Sequence, residues 1–133
     1  MYVEKINKTN TIRVDLKVDK SVDRLPKQTE VALYRVISEL INNTLKHASA
    51  SKIGIDLIKK EDQFEVIYTD NGIGFDVQKM LSSRSQGLGL SNIISRVKSV
   101  NGTCAFFSEP GHNFVSVIKV TLPEDTDKDH NQT

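Results

Sequence analysis

Glu39, Asn43 and Lys46 stand at i, i+4 and i+7 within a stretch of helical pattern. At about 100° per residue they fall inside a sector of roughly 60° on one helix face. That face presents an acid, an amide and a base. A carboxylate orients or deprotonates a hydroxyl, an amide oxygen is a hard ligand suited to Mg2+, and an ammonium neutralises phosphate oxygens. The set suits a nucleoside triphosphate. Alone it is also what an ordinary solvated helix face with a salt-bridging lysine looks like.

Two further segments carry chemistry. Asp70-Asn71-Gly72-Ile73-Gly74 follows a strand-like run, placing a carboxylate at a strand end and two glycines where backbone must turn or approach a ligand closely. A buried aspartate there accepts a hydrogen bond from the exocyclic amine of adenine and rejects guanine, whose oxygen at that position leaves an acceptor unpaired at a cost of about 1–3 kcal/mol. Taken by itself, Asp-Asn-Gly is also simply a good turn. Gly87-Leu88-Gly89-Leu90 opens a second helical pattern, where free backbone N–H groups and the positive dipole end attract phosphate. Its plainer reading is a hinge before a helix.

The elements that must position these groups are legible in the periodicity. Residues 11–18 alternate Ile12, Val14, Leu16 and Val18 with polar neighbours, the period of a half-buried strand. Beyond Pro26 a helical pattern covers about 28–47, with Leu33, Val36, Ile37, Leu40 and Thr44 on one face. KIGIDLIKK and QFEVIYTD read as a hairpin joined by Glu61 and Asp62. Residues 76–86 are mostly polar and read as a mobile flap. A second amphipathic helix is expected from Leu88 to about residue 100, with Leu90, Ile93, Ile94, Val97 and Val100 at helical spacing and Asn101-Gly102 as its stop. Two strands, TCAFFSE and FVSVIKVTL, then flank Pro110-Gly111-His112-Asn113, and the polar end EDTDKDHNQT is expected to be disordered. The order β-α-β-β-flap-α-β-β predicts an α+β two-layer sandwich with a mixed, largely antiparallel sheet packed on helices. One domain is expected over 11–123, with a leader at 1–10 and a tail at 124–133.

Composition removes several alternatives. The 133 residues carry 18 basic and 17 acidic side chains, a formal net charge of +1, so no broad field favours nucleic acid or a membrane surface. Cys104 is the single cysteine, and His47, His112 and His130 are scattered, which leaves no recognisable transition-metal site. No run approaches the about 20 apolar residues of a membrane span. A cytoplasmic setting is expected, with any membrane anchor in a longer parent protein. The chain has no GxxxxGK[ST], GxGxxG or GxSxG segment, so the common phosphate folds and serine hydrolases fit poorly.

Taken in order, Glu39-Leu-Ile-Asn-Asn43-Thr-Leu-Lys46-His47, Asp70-Asn-Gly72-Ile-Gly74 and Gly87-Leu-Gly89-Leu90 closely resemble the N, G1 and G2 boxes of the ATPase superfamily shared by gyrase, Hsp90, histidine kinases and MutL. The resemblance spans about residues 11–123 and implies the ATP-binding sandwich called the Bergerat fold. The ending Asn43-Thr-Leu-Lys46-His47-Ala48, the run GLGLSNIISRVKSVNGT with SEPG after it, and a short lid are similar to histidine kinases of the nitrate-sensor and desaturase-thermosensor type. It implies Asn43 as Mg2+ ligand, Glu39 near the reacting γ-phosphate, and Lys46 and His47 as phosphate contacts. It further implies Asp70 as the adenine reader, Gly72 and Gly74 as pocket formers, and Gly87, Leu88, Gly89 and Leu90 along the phosphates, with Arg84 in the flap a further candidate contact. Where relatives continue the SxPG turn with Gly-x-Gly-Thr, this chain has Gly111-His112-Asn113-Phe114, and asparagine tolerates the left-handed backbone such a turn needs.

His47 falls inside the N-box, so it is read as a binding residue and not as a phosphoacceptor. The implied partners are a dimerisation segment carrying the accepting histidine and a response regulator that receives the phosphoryl group. Two other readings stay open: an anti-sigma-type serine kinase of similar motif order, whose relatives lack the Lys-His-Ala ending, and a non-enzymatic docking module ordered by nucleotide.

Overall fold

In the computed structural model of the chain, residues 12–19, 25–74, 89–108, 111 and 113–122 are described. Their elements run β1 (Arg13–Val18), α1 (Lys27–Asn43) continuing into a π turn (Thr44–Ala48), β2 (Lys52–Lys60), β3 (Gln63–Asp70), α2 (Leu90–Lys98), β4 (Gly102–Phe107) and β5 (Phe114–Thr121). This is the order expected from the periodicity. The expected leader, flap and tail lie outside the described residues.

The strands form one sheet in the order β1-β2-β3-β5-β4. β1 lies parallel to β2, with α1 making the crossover that a parallel pair requires. The remaining pairs are antiparallel. The β2–β3 hairpin turns at Glu61, whose φ of 52° is left-handed. Alternation along β5 is regular: Phe114, Ser116, Ile118 and Val120 are buried, while Val115 and Val117 are half-buried and Lys119 and Thr121 are exposed. In β3 the buried Phe64, Val66, Tyr68 and Asp70 share that face, since they pair with Val120, Ile118, Ser116 and Phe114.

Both helices pack on this face. Leu33, Val36, Leu40 and Ile41 of α1 and Leu90, Ile93 and Val97 of α2 join the strand residues in one cluster, the single core that a two-layer sandwich provides. Glu30 sits in the first turn of α1, where a carboxylate suits the dipole, and accepts the Leu25 amide at 3.4 Å. At the other end of the layer, Asn101 adopts φ 61° just beyond α2. Gly102 follows where a Cβ would come within 2.7 Å of Val97 Cγ1 and 2.9 Å of the Lys119 carbonyl. The Asn-Gly stop therefore has two separate causes, backbone conformation at Asn101 and lack of space at Gly102.

β1 departs from its expected pattern. Ile12 and Val14 are buried, but Leu16 is 38% and Val18 52% exposed. The alternation assigns the four residues to one face correctly; it does not say how far the helical layer reaches across an edge strand.

Candidate nucleotide site

Asp70 ends β3, 5% exposed, between Ile53 of β2 and Phe114 of β5. Its Oδ1 accepts the Gly72 amide at 2.8 Å and its Oδ2 accepts the Thr44 hydroxyl at 2.9 Å. Thr44 Oγ1 also lies 3.2 Å from the Leu40 carbonyl and touches the Tyr68 hydroxyl, which donates to the same carbonyl at 3.0 Å. These groups form one buried polar cluster that joins the end of α1 to the end of β3. Tyr68 is fixed in turn by an edge contact with Phe114, ring centres 6.1 Å apart, and Phe114 stacks on Phe106. Among the described residues no buried side-chain nitrogen or oxygen lacks a partner.

A carboxylate offers about four lone-pair sites. The two hydrogen bonds to Gly72 and Thr44 use two of them, leaving acceptor capacity on an immobilised group at a strand end. Beside it, Asn71 pins the loop: its Oδ1 accepts the amides of Ser51 and Lys52 at 2.9 and 3.0 Å, and its Nδ2 donates to Ser51 Oγ at 2.9 Å. Gly74 has φ 71°, a conformation that favours glycine. Gly72 has no positive φ, and its observed part is its amide on Asp70.

At the other end of the site, Glu39 and Gly89 meet. Gly89 caps the start of α2 with φ 66°, and a Cβ there would lie 2.9 Å from Glu39 Oε2 and 3.1 Å from its Cδ. Two causes, backbone conformation and the approaching carboxylate, thus require glycine. The helix start that attracts anions is held beside Glu39. Asn43 is the last residue of α1 and half-buried; Lys46 is exposed on the π turn.

The structure therefore joins the first and third motifs through Glu39 and Gly89, and the first and second through Thr44 and Asp70. Lys46 lies past the change of helical type. A π turn bonds i to i+5, a change of winding that the uniform spacing of Glu39, Asn43 and Lys46 does not foresee. Leu90 is buried in the core, anchoring the start of α2. Arg84, Gly87 and Leu88, and the side chain of His47, lie outside the described residues.

Sequence reasoning missed Thr44 and Tyr68 as parts of the site. Signals existed for both: Thr44 is a polar residue on an otherwise apolar helix face, and Tyr68 stands two residues before Asp70, so both point to one side of the sheet. The π turn left no such signal.

Residues 28–126 match the family described as histidine kinase-, DNA gyrase B-, and HSP90-like ATPase. The chain belongs to that family, as an ATP-binding domain of the sensor-histidine-kinase type. The signal transduction histidine-protein kinase/phosphatase DegS of Brevibacillus brevis is 29% identical over 121 residues, covering 91% of this chain and 31% of that protein. The sensor protein VraS of Staphylococcus aureus (strain COL) is 30% identical over 119 residues, covering 88% of this chain and 33% of that protein. The chain thus spans about a third of the length of these relatives. In fold it is similar to the histidine kinase AdeS of Acinetobacter baumannii, with a TM-score of 0.72 at 17% identity over 92% of this chain and 60% of that one.

Proposed function

We propose that this chain is the catalytic domain of a two-component sensor histidine kinase. It binds ATP and presents the γ-phosphoryl group to an imidazole nitrogen on a dimerisation segment, from which an aspartate of a response regulator receives it. The P–N bond forms as the bond to ADP breaks, and the imidazole proton leaves. The observation that carries this reading is the buried Asp70 carboxylate, held by Thr44 and Gly72 with acceptor capacity to spare.

Asp70 selects adenine by accepting its amine, and Gly74 lets the loop bend round the base. Glu39 orients the nucleophile beside the phosphate end, while Lys46, His47 and Arg84 supply positive charge, with Gly87, Leu88 and Gly89 passing along the phosphates. Positioning and charge neutralisation supply most of the acceleration in phosphoryl transfer.

The donor set fits Mg2+. Asn43 would supply a hard amide oxygen one turn from the Glu39 carboxylate. That is the pattern of an ion held by one or two protein ligands plus phosphates, where it would neutralise phosphate charge. Among the described residues no helix is long and apolar enough to cross a membrane. Because the proposed reaction consumes ATP, we place the domain on the cytoplasmic side, where ATP is supplied.

Isothermal titration of the chain with ATP and GTP, with and without Mg2+, tests the reading. Adenine-selective binding that Asp70→Asn weakens and Asn43→Ala uncouples from Mg2+ is expected. Equal affinity for ATP and GTP, or wild-type affinity in Asp70→Asn, overturns it.

A further inference from the structure

The two helices also border a hollow away from the candidate nucleotide site. Gly89 at the start of α2 meets Glu39 late in α1, whereas Arg96 in the last turn of α2 and Val100 just beyond it face Lys27, Val31, Ala32 and Arg35 early in α1 across a hollow of about 640 Å³. The two helices therefore run antiparallel, with the phosphate end of the site at one end of their seam and this hollow at the other. At about 1.5 Å per residue, Arg35 and Lys27 lie roughly 6 and 18 Å along α1 from Glu39.

The hollow has an apolar floor and a cationic rim. Val31, Ala32 and Val100 line it, and Val31 is 45% exposed. Among the described residues none of Lys27, Arg35 and Arg96 pairs with a carboxylate. Glu30 is the one acid in this half of α1 and is turned to the Leu25 amide, while α2 contains no acid. Arg96, like Lys98, complements the α2 dipole, but that accounts for neither the cations on α1 nor the exposed Val31.

We propose that this groove docks an acidic, amphipathic helix of the protein segment that receives the phosphoryl group. Apolar side chains spaced along one face of such a helix fill the floor, and flanking carboxylates meet Lys27, Arg35 and Arg96, the helix-in-groove mode of recognition. A helix laid along the seam is directed at the Glu39–Gly89 end, so docking at one end positions the acceptor at the other. Pairing with a second copy of the chain is disfavoured, because a two-fold contact would set the same three cations against themselves. The proposal rests on the kinase reading above and uses residues outside the nucleotide site.

The test is amide-resolved NMR of the labelled chain titrated with a synthetic helical peptide bearing leucines at i, i+3, i+4 and i+7 and glutamates on the flanks. A second peptide has lysine at every glutamate position. Shifts centred on Val31, Ala32, Arg35, Arg96 and Val100 are expected, with the acidic peptide bound about 10-fold more tightly than the basic one and the preference reversed in the Arg35→Glu/Arg96→Glu variant. ATP affinity of that variant, measured by calorimetry, is expected to stay within about twofold of wild type. Failure to bind ATP in the wild type would instead remove the kinase reading and leave the peptide result intact. Equal binding of both peptides, or shifts centred away from the groove, overturns the proposal. So do groove shifts that follow protein concentration alone, which identify a second copy, or that follow removal of residues 123–133, which identify the chain's own acidic tail.

Discussion

The two ends of the candidate nucleotide site, the one proposed for adenine and the one proposed for phosphate, are built differently. At the adenine end Asp70, Thr44 and Tyr68 are 5%, 2% and 0% exposed and bonded to one another through the core. At the phosphate end Glu39 and Asn43 are half-buried and Lys46 is exposed, and the described structural requirement is a glycine at Gly89. On the proposed reading, base recognition shares its side chains with folding, while phosphate handling sits at helix ends. Substitutions at the first end should change stability as well as binding, and those at the second mainly binding and local geometry.

Thr44→Val puts the largest strain on this comparison. Valine keeps the shape but removes the hydroxyl that donates to Asp70 Oδ2 and touches Tyr68. A lost hydrogen bond to a buried charged group costs about 1.5–3 kcal/mol, so denaturant unfolding should show a loss of that order, with weaker ATP binding alongside. A stability equal to wild type would break the proposed sharing of roles. Asp70→Asn is the sharper companion. Oδ1 can keep the Gly72 amide, and Thr44 can turn its hydroxyl to the Leu40 carbonyl at 3.2 Å, accepting from the new amide instead. Stability should then stay within about 1 kcal/mol, while ATP affinity falls by about 10- to 100-fold for want of an acceptor facing adenine.

These variants also mark how far the sequence could be read. Phe114, Ser116, Ile118 and Val120 alternate cleanly, and the faces of both helices follow from spacing, because each side chain's direction depends on local backbone period alone. The three motifs were legible for another reason, as short runs whose order along the chain resembles that of a known family. Leu16 and Val18 were not, since their exposure depends on the reach of another layer. The hydrogen bonds of Thr44 to Tyr68 and Asp70 span 24 and 26 residues, and no local pattern specifies such a meeting. The π turn that carries Lys46 was not legible either, since no local period marks it; π turns often occur at functional sites.

Gly89→Ala probes the phosphate end. An L-residue in the left-handed region costs roughly 1–2 kcal/mol, and the new Cβ also crowds Glu39 at 2.9 Å. Glu39→Ala should relieve the crowding but not the backbone cost. The double variant is therefore expected to be more stable than the two single losses sum to, with a coupling of about 0.5 kcal/mol or more in thermal unfolding. Strict additivity would mean that Glu39 does not stand over Gly89 in solution.

Asp15→Asn makes the same chemical change as Asp70→Asn on a surface strand, and should have the smallest effect. The Asp15 carboxyl is held below its ordinary value of 3.8, chiefly by the hydrogen bond from Arg13 at 3.1 Å; desolvation opposes this, and Lys52 at 3.4 Å adds to the lowering. Because the folded value lies below the unfolded one, the stabilisation is complete above the unfolded value and is lost as pH falls through the folded one. Wild type should therefore lose a little stability below about pH 4 that Asp15→Asn does not, and salt should shrink the difference because the ion pairs are exposed. Urea unfolding across that acid range, at low and high salt, measures it. An Asp15→Asn loss at neutral pH as large as that of Thr44→Val would mean that burial in the polar cluster is not what separates the two aspartates.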